Sequence, residues 1–325
     1  MPPRTSRWRR VVPRAVVALT AVLIVTTLAG FFGSRSWVLD LVANLRLQLA
    51  LLLIVVACVL FASRLRWAAW LAAVGAAVNL VLVVPLLIPG GAPDVTPEAE
   101  TFDITFLNVK HRAADPEAVF DYLEDRDDDL VVLAATSRLW VEAFESSGLD
   151  LQFVDGPRRL YNSQLTVLAK DPAAVGFSIM RAGDGARSTV VEASVTLDGR
   201  TLRILATHPV SPMTPARAAR RDAQFAWIAD RAQQSEDPVV VIGDLNATPW
   251  SSAFRTLVDE AGLVDSQHSH GMQPSWPAWL GPLGLTLDHV LHSPNAVVID
   301  RYLGPSFGSD HRTLHTRVGL AADSS

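Results

Sequence analysis

The chain has 325 residues, of which 50% are hydrophobic and only 19% are charged, with a net charge of −5 at pH 7. This composition excludes an intrinsically disordered protein, because disordered chains are too polar to bury a core. The negative charge argues against a basic nucleic-acid-binding protein. A single cysteine, Cys58, excludes an intramolecular disulfide framework.

Charge is distributed unevenly along the chain. The first 100 residues contain nine arginines, no lysine and four acids, which gives a net charge of +5. The remaining residues contain 19 bases, 29 acids and all eight histidines, which gives a net charge of −10. We therefore expect two parts with different environments and different roles.

Three uncharged apolar runs lie in the first part, at residues 15–32, 47–62 and 67–88. A helix needs about 20 apolar residues to cross a bilayer. The middle run reaches that length if it begins near residue 41, with Arg46 extending to the membrane interface. A cleaved signal peptide would not be followed by two more such runs, and a soluble helical bundle would need polar faces. Residues 1–88 are therefore predicted to form a membrane anchor of three transmembrane helices.

The arginines predict the orientation of this anchor. Seven of them precede the first run or separate the second from the third, whereas only Arg35 and Arg46 lie between the first and second. The positive-inside rule then predicts a cytoplasmic N-terminus and an extracytoplasmic C-terminal domain in the cell membrane. Residues 89–100 begin with PGGAP, a composition typical of a linker. The runs lack acidic and histidine side chains that would suggest transport, so anchoring is the preferred interpretation.

The periodicity changes after residue 100. Apolar patterning predicts strands at 101–109 and 129–134, with a helix at 115–124 between them. Further strands are predicted at 165–169, 190–195, 202–207, 239–242 and 288–291, and a further helix at 215–231. Many strands with a few interspersed helices are typical of one α/β or α+β domain, predicted at 101–319 and followed by a tail at 320–325.

Polar residues with catalytic chemistry follow the strand at 239–242. The sequence there is GDLN, and residues two apart in an extended chain face the same side, so Asp244 and Asn246 are expected to face one site. A plain turn after the strand is the alternative interpretation, since Asp and Asn favour turns.

Two further groups of polar residues with catalytic chemistry lie elsewhere in the sequence. His208 follows the strand at 202–207, and Asp288 and the pair Asp310-His311 lie nearer the C-terminus. A carboxylate beside an imidazole can orient that ring or hold a divalent cation.

In this order, the segments FLNV, ATHP, VVVIGDLNATPWS, SWPAW, LDHVL and GSDHR resemble the endonuclease/exonuclease/phosphatase (DNase I-like) superfamily, over residues 101 to about 318. The chain is most similar to the bacterial branch with an N-terminal triple-span anchor. The resemblance implies a four-layer α/β/β/α sandwich preceded by three transmembrane helices. It also implies hydrolysis of phosphodiester or phosphomonoester bonds with a divalent cation, usually magnesium.

The resemblance implies a catalytic role for each of five residues. Asp244 would orient or activate the attacking water, and Asn246 would donate a hydrogen bond to a phosphate oxygen. His311, oriented by Asp288, would contact the phosphate as charge develops in the transition state. His208 would contact the scissile phosphate. Such positioning and charge stabilisation suit phosphoryl chemistry.

The implied metal site departs from the family pattern. By resemblance, Asp310 and Asn108 lie at a site for Mg²⁺ or Mn²⁺. The family's principal metal ligand is a glutamate that follows the strand at 129–134, but the sequence VVLAATSRLW places Ala135 there. An alanine side chain cannot bind a cation, so we expect weak metal binding.

These observations predict an outward-facing, membrane-anchored, Mg²⁺-dependent phosphodiesterase, nuclease or phosphatase. Lipid head groups, wall polymers and nucleic acid are the candidate substrates, and the bilayer is the partner of the helices. The acidic outer part argues against a stable nucleic-acid complex, which relies on Lys and Arg contacts. The alternative is a catalytically impaired, membrane-tethered binding module, because of Ala135.

Other motifs have simpler interpretations. Residues 304–308 read GPSFG, which matches the nucleophile elbow of α/β-hydrolases, but that motif requires a helix directly after Ser306. His289 is predicted to be a packing residue. Trp250, Trp276 and Trp279 are predicted to lie in the core more readily than in a substrate cleft.

Overall fold

The computed structural model describes residues 5–91, 99–111, 113–154, 165–182 and 188–322. The chain divides into two compact units. The first contains residues 1–87 and 249–253, and the second contains residues 88–248 and 254–325.

The first unit is helical. Its helices are α1 (Thr5–Ala29), α2 (Trp37–Ala43), α3 (Arg46–Ala62) and α4 (Arg66–Leu87). Two segments, Arg14–Arg35 and Arg66–Leu87, are long and apolar enough to cross a membrane. Helices α2 and α3 are bent by 64° and would make a third span if they act as one. The described helices are thus compatible with a membrane anchor of two or three spans.

Arg46 does not extend to an interface as expected. Its side chain is buried, with Nη1 donating to the carbonyl oxygen of Thr27 at 2.8 Å and to Oδ1 of Asn79 at 3.3 Å. Its guanidinium also lies 4.3 Å from the ring centre of Phe31. Polar acceptors on α1 and α4 therefore bind Nη1 of this arginine inside the helical unit, and the prediction that it snorkels is wrong.

The short segment Pro249–Ala253 belongs to this helical unit. Asp40 accepts hydrogen bonds from Ser251 Oγ, at 3.0 and 2.9 Å to its two carboxylate oxygens. Trp250 donates from Nε1 to the carbonyl oxygen of Leu82 at 3.0 Å. Trp250 is buried, which confirms its predicted packing role.

The second unit contains two six-stranded sheets. The first has the order β11-β12-β1-β2-β4-β3 and the second the order β5-β6-β7-β8-β10-β9. The strands are β1 (Phe102–Asn108), β2 (Leu130–Ala134), β3 (Gln152–Phe153), β4 (Leu165–Ala169), β5 (Gly176–Arg181), β6 (Thr189–Leu197), β7 (Arg200–Thr207), β8 (Val239–Asp244), β9 (Val264–Asp265), β10 (Asp288–His292), β11 (Ala296–Leu303) and β12 (Leu314–Leu320). The helices are α5 (Pro116–Glu124), α6 (Arg138–Ser147), α7 (Pro215–Gln233), α8 (Ser252–Ala261) and α9 (Gln267–His270).

Apolar side chains of both sheets form one shared core, which includes Ile104 and Val132 from the first sheet and Ile204 and Ile242 from the second. Helices α5 and α6 cover the outer face of the first sheet. Helix α7 covers the second, where Gln224 Nε2 donates to Thr207 Oγ1 at 2.8 Å. The predicted two-sheet α/β sandwich is confirmed.

Helices α5 and α7 begin at local sequence signals that are typical of helix N-termini. Asp115 precedes α5 and its side chain accepts the backbone N–H of Glu117, and Thr214 caps α7 in the same manner through the N–H of Arg217. A proline follows each cap, at the position where its fixed φ suits the first helical turn. Each helix joins two parallel strands, β1 with β2 and β7 with β8.

This topology places the strand ends that carry the polar residues at one edge of each sheet. Asn108 ends β1, Asp244 ends β8, and the antiparallel β10 begins with Asp288 directly opposite Asp244. Gly243 permits the close approach of β8 to β7, because a Cβ there would lie 1.9 Å from the carbonyl oxygen of Thr207. Asn108 and Asp288 thereby lie close to Asp244.

Candidate active site

Asp244 lies at the centre of the site and is 1% exposed. Its Oδ2 accepts a hydrogen bond from Asn108 Nδ2 at 2.9 Å and lies 3.5 Å from Nε2 of both His208 and His311. Its Oδ1 accepts the backbone N–H of Asn246 at 2.9 Å. Burial raises the pKa of Asp244, although the charge of His311 opposes this effect. The site therefore presents one buried carboxyl group between two imidazoles.

His311 is paired with a second buried acid. Its Nδ1 lies 2.9 Å from Oδ2 of Asp288, which is fully buried. Burial opposes a charge on His311, but Asp288 and Asp244 outweigh it and raise the pKa of His311 to about 9. Burial likewise opposes the charge of Asp288, but His311 outweighs it and lowers the pKa of that acid. His311 is therefore an imidazolium at neutral pH, with Nε2 towards Asp244.

His208 provides a contrasting imidazole. It follows β7, and burial lowers the pKa of its ring. Its Nε2 lies 3.4 Å from Asn108 Nδ2, and within the described residues its buried Nδ1 has no hydrogen-bond partner. The site thus combines a neutral ring on one side of Asp244 with a charged ring on the other.

The two predicted asparagines have different positions. Asn108 Nδ2 lies among Asp244, His208 and His311, and its Oδ1 accepts the backbone N–H of Lys110 at 3.0 Å. Asn246 has a left-handed backbone with φ of 51°. Its Nδ2 donates to the carbonyl oxygen of Pro209 at 3.1 Å, so its amide group is bound to the loop after His208.

Asp310 lies beside His311 in the chain and is bound to two donors. Its Oδ2 accepts hydrogen bonds from Lys110 Nζ at 2.5 Å and from Trp276 Nε1 at 2.9 Å. Burial opposes the charge of Asp310, but these hydrogen bonds outweigh it and lower the pKa of the carboxyl group. Its Oδ1 is buried and has no hydrogen-bond partner among the residues that the structure describes.

Lys110 and Trp276 are site residues that the sequence interpretation missed. The core prediction is wrong for Trp276, which is half-buried against Asp310, and for Trp279, which is 80% exposed. A signal for Lys110 was present, because it is one of only two lysines in a chain with many arginines and follows Asn108 by two residues.

Two alternative interpretations are settled by the fold. No helix follows Ser306 in residues 304–313, so GPSFG is not a nucleophile elbow. His289 is fully buried, with Nε2 2.9 Å from the carbonyl oxygens of Ala247 and Thr286, which confirms its predicted packing role.

One group in the site meets the distance requirement for a metal ion. Asp244, Asp288 and His311 each offer a ligand atom, and these atoms lie within 4.8 Å of one another. The group could bind a metal, as is typical of divalent-metal-dependent enzymes. A cation would, however, compete there with the ion pair that already joins Asp288 to His311.

The metal position implied by the family resemblance fits a divalent cation poorly. Asn108 Oδ1 is occupied by the N–H of Lys110, and Asp310 Oδ2 by Lys110 and Trp276. Ala135, one residue past β2, contributes no carboxylate. Asp310 is the acid that the family resemblance leaves at this position, and its Oδ2 contacts Lys110.

The second unit is thus a two-sheet α/β sandwich with buried carboxylate and imidazole groups at one edge. Residues 106–311 match the model of the Endonuclease/Exonuclease/phosphatase family, and the chain belongs to this family. Members of this family are nucleases and phosphatases. No curated protein sequence matches the chain.

Solved structures show the same fold. An endonuclease/exonuclease/phosphatase from Beutenbergia cavernae DSM 12333 is 18% identical, with a TM-score of 0.53, over 68% of this chain and 72% of that one. D. rerio TDP2 complexed with a single-strand DNA product is 17% identical, with a TM-score of 0.53, over 68% of this chain and 99% of that one. These similarities concern the fold of the second unit.

Proposed function

We propose that this chain is a membrane-anchored, outward-facing phosphoesterase that hydrolyses phosphodiester or phosphomonoester bonds. The observation that carries the proposal is the buried Asp244 between a neutral His208 and a protonated His311. A base and a charged hydrogen-bond donor within 3.5 Å of each other suit the attack of water on a phosphorus atom.

Each residue has a role in this proposal. Asp244 accepts a proton from the attacking water, and its raised pKa makes it a stronger base than an exposed carboxylate. His311 donates from Nε2 to a phosphate oxygen, where negative charge grows in the transition state. Asp288 holds the proton on Nδ1 of His311, and Asn108 orients Asp244 through its Nδ2.

His208 and Asn246 position the substrate on the other side of Asp244. The uncharged ring of His208 contacts the scissile phosphate, and Asn246 donates to a phosphate oxygen once its amide leaves Pro209. The Mg²⁺ or Mn²⁺ that the family resemblance implies takes no step in this scheme, because Oδ2 of Asp310 and Oδ1 of Asn108 already accept hydrogen bonds from Lys110.

The candidate substrates are phosphate esters found near a membrane: lipid head groups, wall polymers and nucleic acid. Nucleic acid is the product bound by the structurally similar D. rerio TDP2. The net charge of −10 after residue 100 disfavours a stable complex with a polyanion, and therefore favours the smaller esters.

The anchor in this proposal has three spans, formed by Arg14–Arg35, by α2 with α3, and by α4. The distribution of arginines places the N-terminus in the cytoplasm and the second unit outside the cell. A Ser325→Cys variant in a Cys58→Ala background is expected to react with a membrane-impermeant maleimide in intact cells. Labelling that requires lysed cells would contradict the orientation.

The second candidate function is a binding module that no longer hydrolyses esters, favoured by Ala135 in place of the family's acid. An assay of the full chain in detergent distinguishes the two candidate functions. The substrates are bis-p-nitrophenyl phosphate and p-nitrophenyl phosphate, each with Mg²⁺, Mn²⁺ or EDTA. Release of p-nitrophenol that scales with protein concentration is expected. No release above buffer under any of these conditions would support the binding module.

A further inference from the structure

An ammonium group lies where the family resemblance implies a divalent cation. Lys110 Nζ contacts Oδ2 of Asp310, the acid that the family resemblance implies there. The Lys110 side chain is 56% exposed and that of Asp310 is 21% exposed, so the pair faces solvent at the rim of the site. Trp276 Nε1 binds the same carboxylate oxygen and fixes its direction.

The backbone after β1 directs Lys110 to this position. Lys110 and His111 both have left-handed backbones, with φ of 46° and 59°, which is uncommon for residues other than glycine. Two hydrogen bonds hold this turn: Lys110 N–H donates to Asn108 Oδ1 at 3.0 Å, and His111 N–H donates to the carbonyl oxygen of Ala135 at 2.8 Å. The placement of Lys110 is thus built into the end of the strand.

The charges at this position balance without a metal. A glutamate at position 135 together with Asp310 would present two carboxylates, which suit a divalent cation. Ala135 removes one of these charges, and the single charge left on Asp310 is matched by the single charge of Lys110. The substitution of the acid and the presence of the lysine therefore compensate each other electrostatically.

The ammonium group also retains the capacity to bind a ligand. It carries three N–H donors, and Asp310 is its one hydrogen-bond partner among the residues that the structure describes. Lysine is a common phosphate-binding residue and acts as a compact positive charge. Asp310 also helps to raise the pKa of His311, so the partner of Lys110 lies near the second cation of the site.

We propose that Lys110 supplies at this site the positive charge that other members of the family take from a divalent cation, and that it binds a phosphate oxygen of the substrate. The inference rests on the proposed function for the nature of the ligand. It makes this chain a metal-independent binder of phosphate groups.

The first test measures binding of inorganic phosphate to the full chain in detergent and EDTA by isothermal titration calorimetry. Lys110→Met is expected to weaken binding about tenfold or more, whereas Lys110→Arg keeps the charge and is expected to remain within a few fold of wild type. Thermal melting curves of both variants check that they are folded. Equal phosphate affinity of wild type and Lys110→Met in EDTA would overturn the proposal.

The second test measures Mn²⁺ binding by electron paramagnetic resonance, with Asp310→Asn as the blank for ions bound elsewhere. Wild type is expected to bind the same number of Mn²⁺ ions as the Asp310→Asn protein. The double variant Lys110→Met/Ala135→Glu is expected to bind one additional Mn²⁺, and Asp310→Asn in that background is expected to remove it. A wild-type Mn²⁺ site that Asp310→Asn abolishes would overturn the proposal.

Neither measurement depends on turnover. A chain that binds phosphate through Lys110 but hydrolyses no ester would retain this inference and contradict the proposed hydrolysis. A chain that hydrolyses esters only when its Asp310 site holds Mn²⁺ would support the proposed hydrolysis and contradict this inference.

Discussion

Replacement of Asp244 by asparagine is expected to lower kcat for ester hydrolysis about a thousandfold, within the range typical for loss of a general base. The amide keeps the shape of the side chain but cannot accept the proton of the attacking water. The change also removes a negative charge 3.5 Å from Nε2 of both His208 and His311. The measurement is the steady-state rate of p-nitrophenol release by the full chain.

Asp103→Asn is the matched control for this variant. Asp103 lies in β1 like Asn108, but near the other end of the strand, and it pairs with Arg317. The control is expected to keep the wild-type rate within about twofold, since surface ion pairs contribute little. A rate for Asp244→Asn within tenfold of wild type would show that another group activates the water.

Asp288→Asn is expected to change how hydrolysis depends on pH. His311 has a pKa raised to about 9, so its charged form persists through neutral pH, and the rate should fall as pH rises through that value. Asp288 is the largest source of this upward shift, with Asp244 next. Without the Asp288 charge, Asp244 and Asp310 are left to oppose the effect of burial on the pKa of His311. That pKa should fall, so the rate of hydrolysis should begin to decline at a lower pH.

The sign of this effect separates it from a general loss of activity. At acidic pH His311 is protonated in both proteins, so the deficit of Asp288→Asn is smallest there and grows as pH rises. Profiles of kcat/KM on bis-p-nitrophenyl phosphate are suitable, because that diester does not titrate in this range. An unchanged alkaline limb in the variant would contradict the role assigned to the Asp288–His311 pair.

Much of the sandwich could be predicted from local patterns. The strands β1, β2, β4 and β8 are short apolar runs that end in turn-forming residues, and α5 and α7 carry a cap followed by proline. Strands β3, β5, β9, β11 and β12 were missed. In β5 the burial is only partial, and β12 is identified by pairing with β1 across some two hundred residues, a contact that no local pattern contains.

The site shows the same division between local and distant information. The predicted residues at the ends of β7 and β8 meet because these parallel strands end at the same edge of one sheet, and Asn108 joins them from β1 of the other sheet. The contact between Lys110 and Asp310 depends on a left-handed turn and joins positions 200 residues apart, so the sequence pattern did not indicate it. Arg46 was misplaced for a related reason: its partners Thr27 and Asn79 lie on other helices.

The two charged residues at the site explain how a member of this family can lack an acid at position 135. His311 obtains its charge from buried carboxylates, and Lys110 is held by Asp310. In the proposed function they provide fixed positive charge at the substrate phosphate, the stabilisation that phosphoryl transfer most requires. Ala135 is then one half of a compensated change.

Hydrolysis in oxygen-18 water would show whether a water activated by Asp244 attacks the phosphorus atom. The full chain in detergent would cleave bis-p-nitrophenyl phosphate, and mass spectrometry would locate the label in the products. One oxygen-18 atom is expected in the phosphate-containing product, at a rate that Asp244→Asn lowers about a thousandfold. Label in p-nitrophenol, or an equal rate of labelling in the Asp244→Asn protein, would contradict attack of an Asp244-activated water on phosphorus.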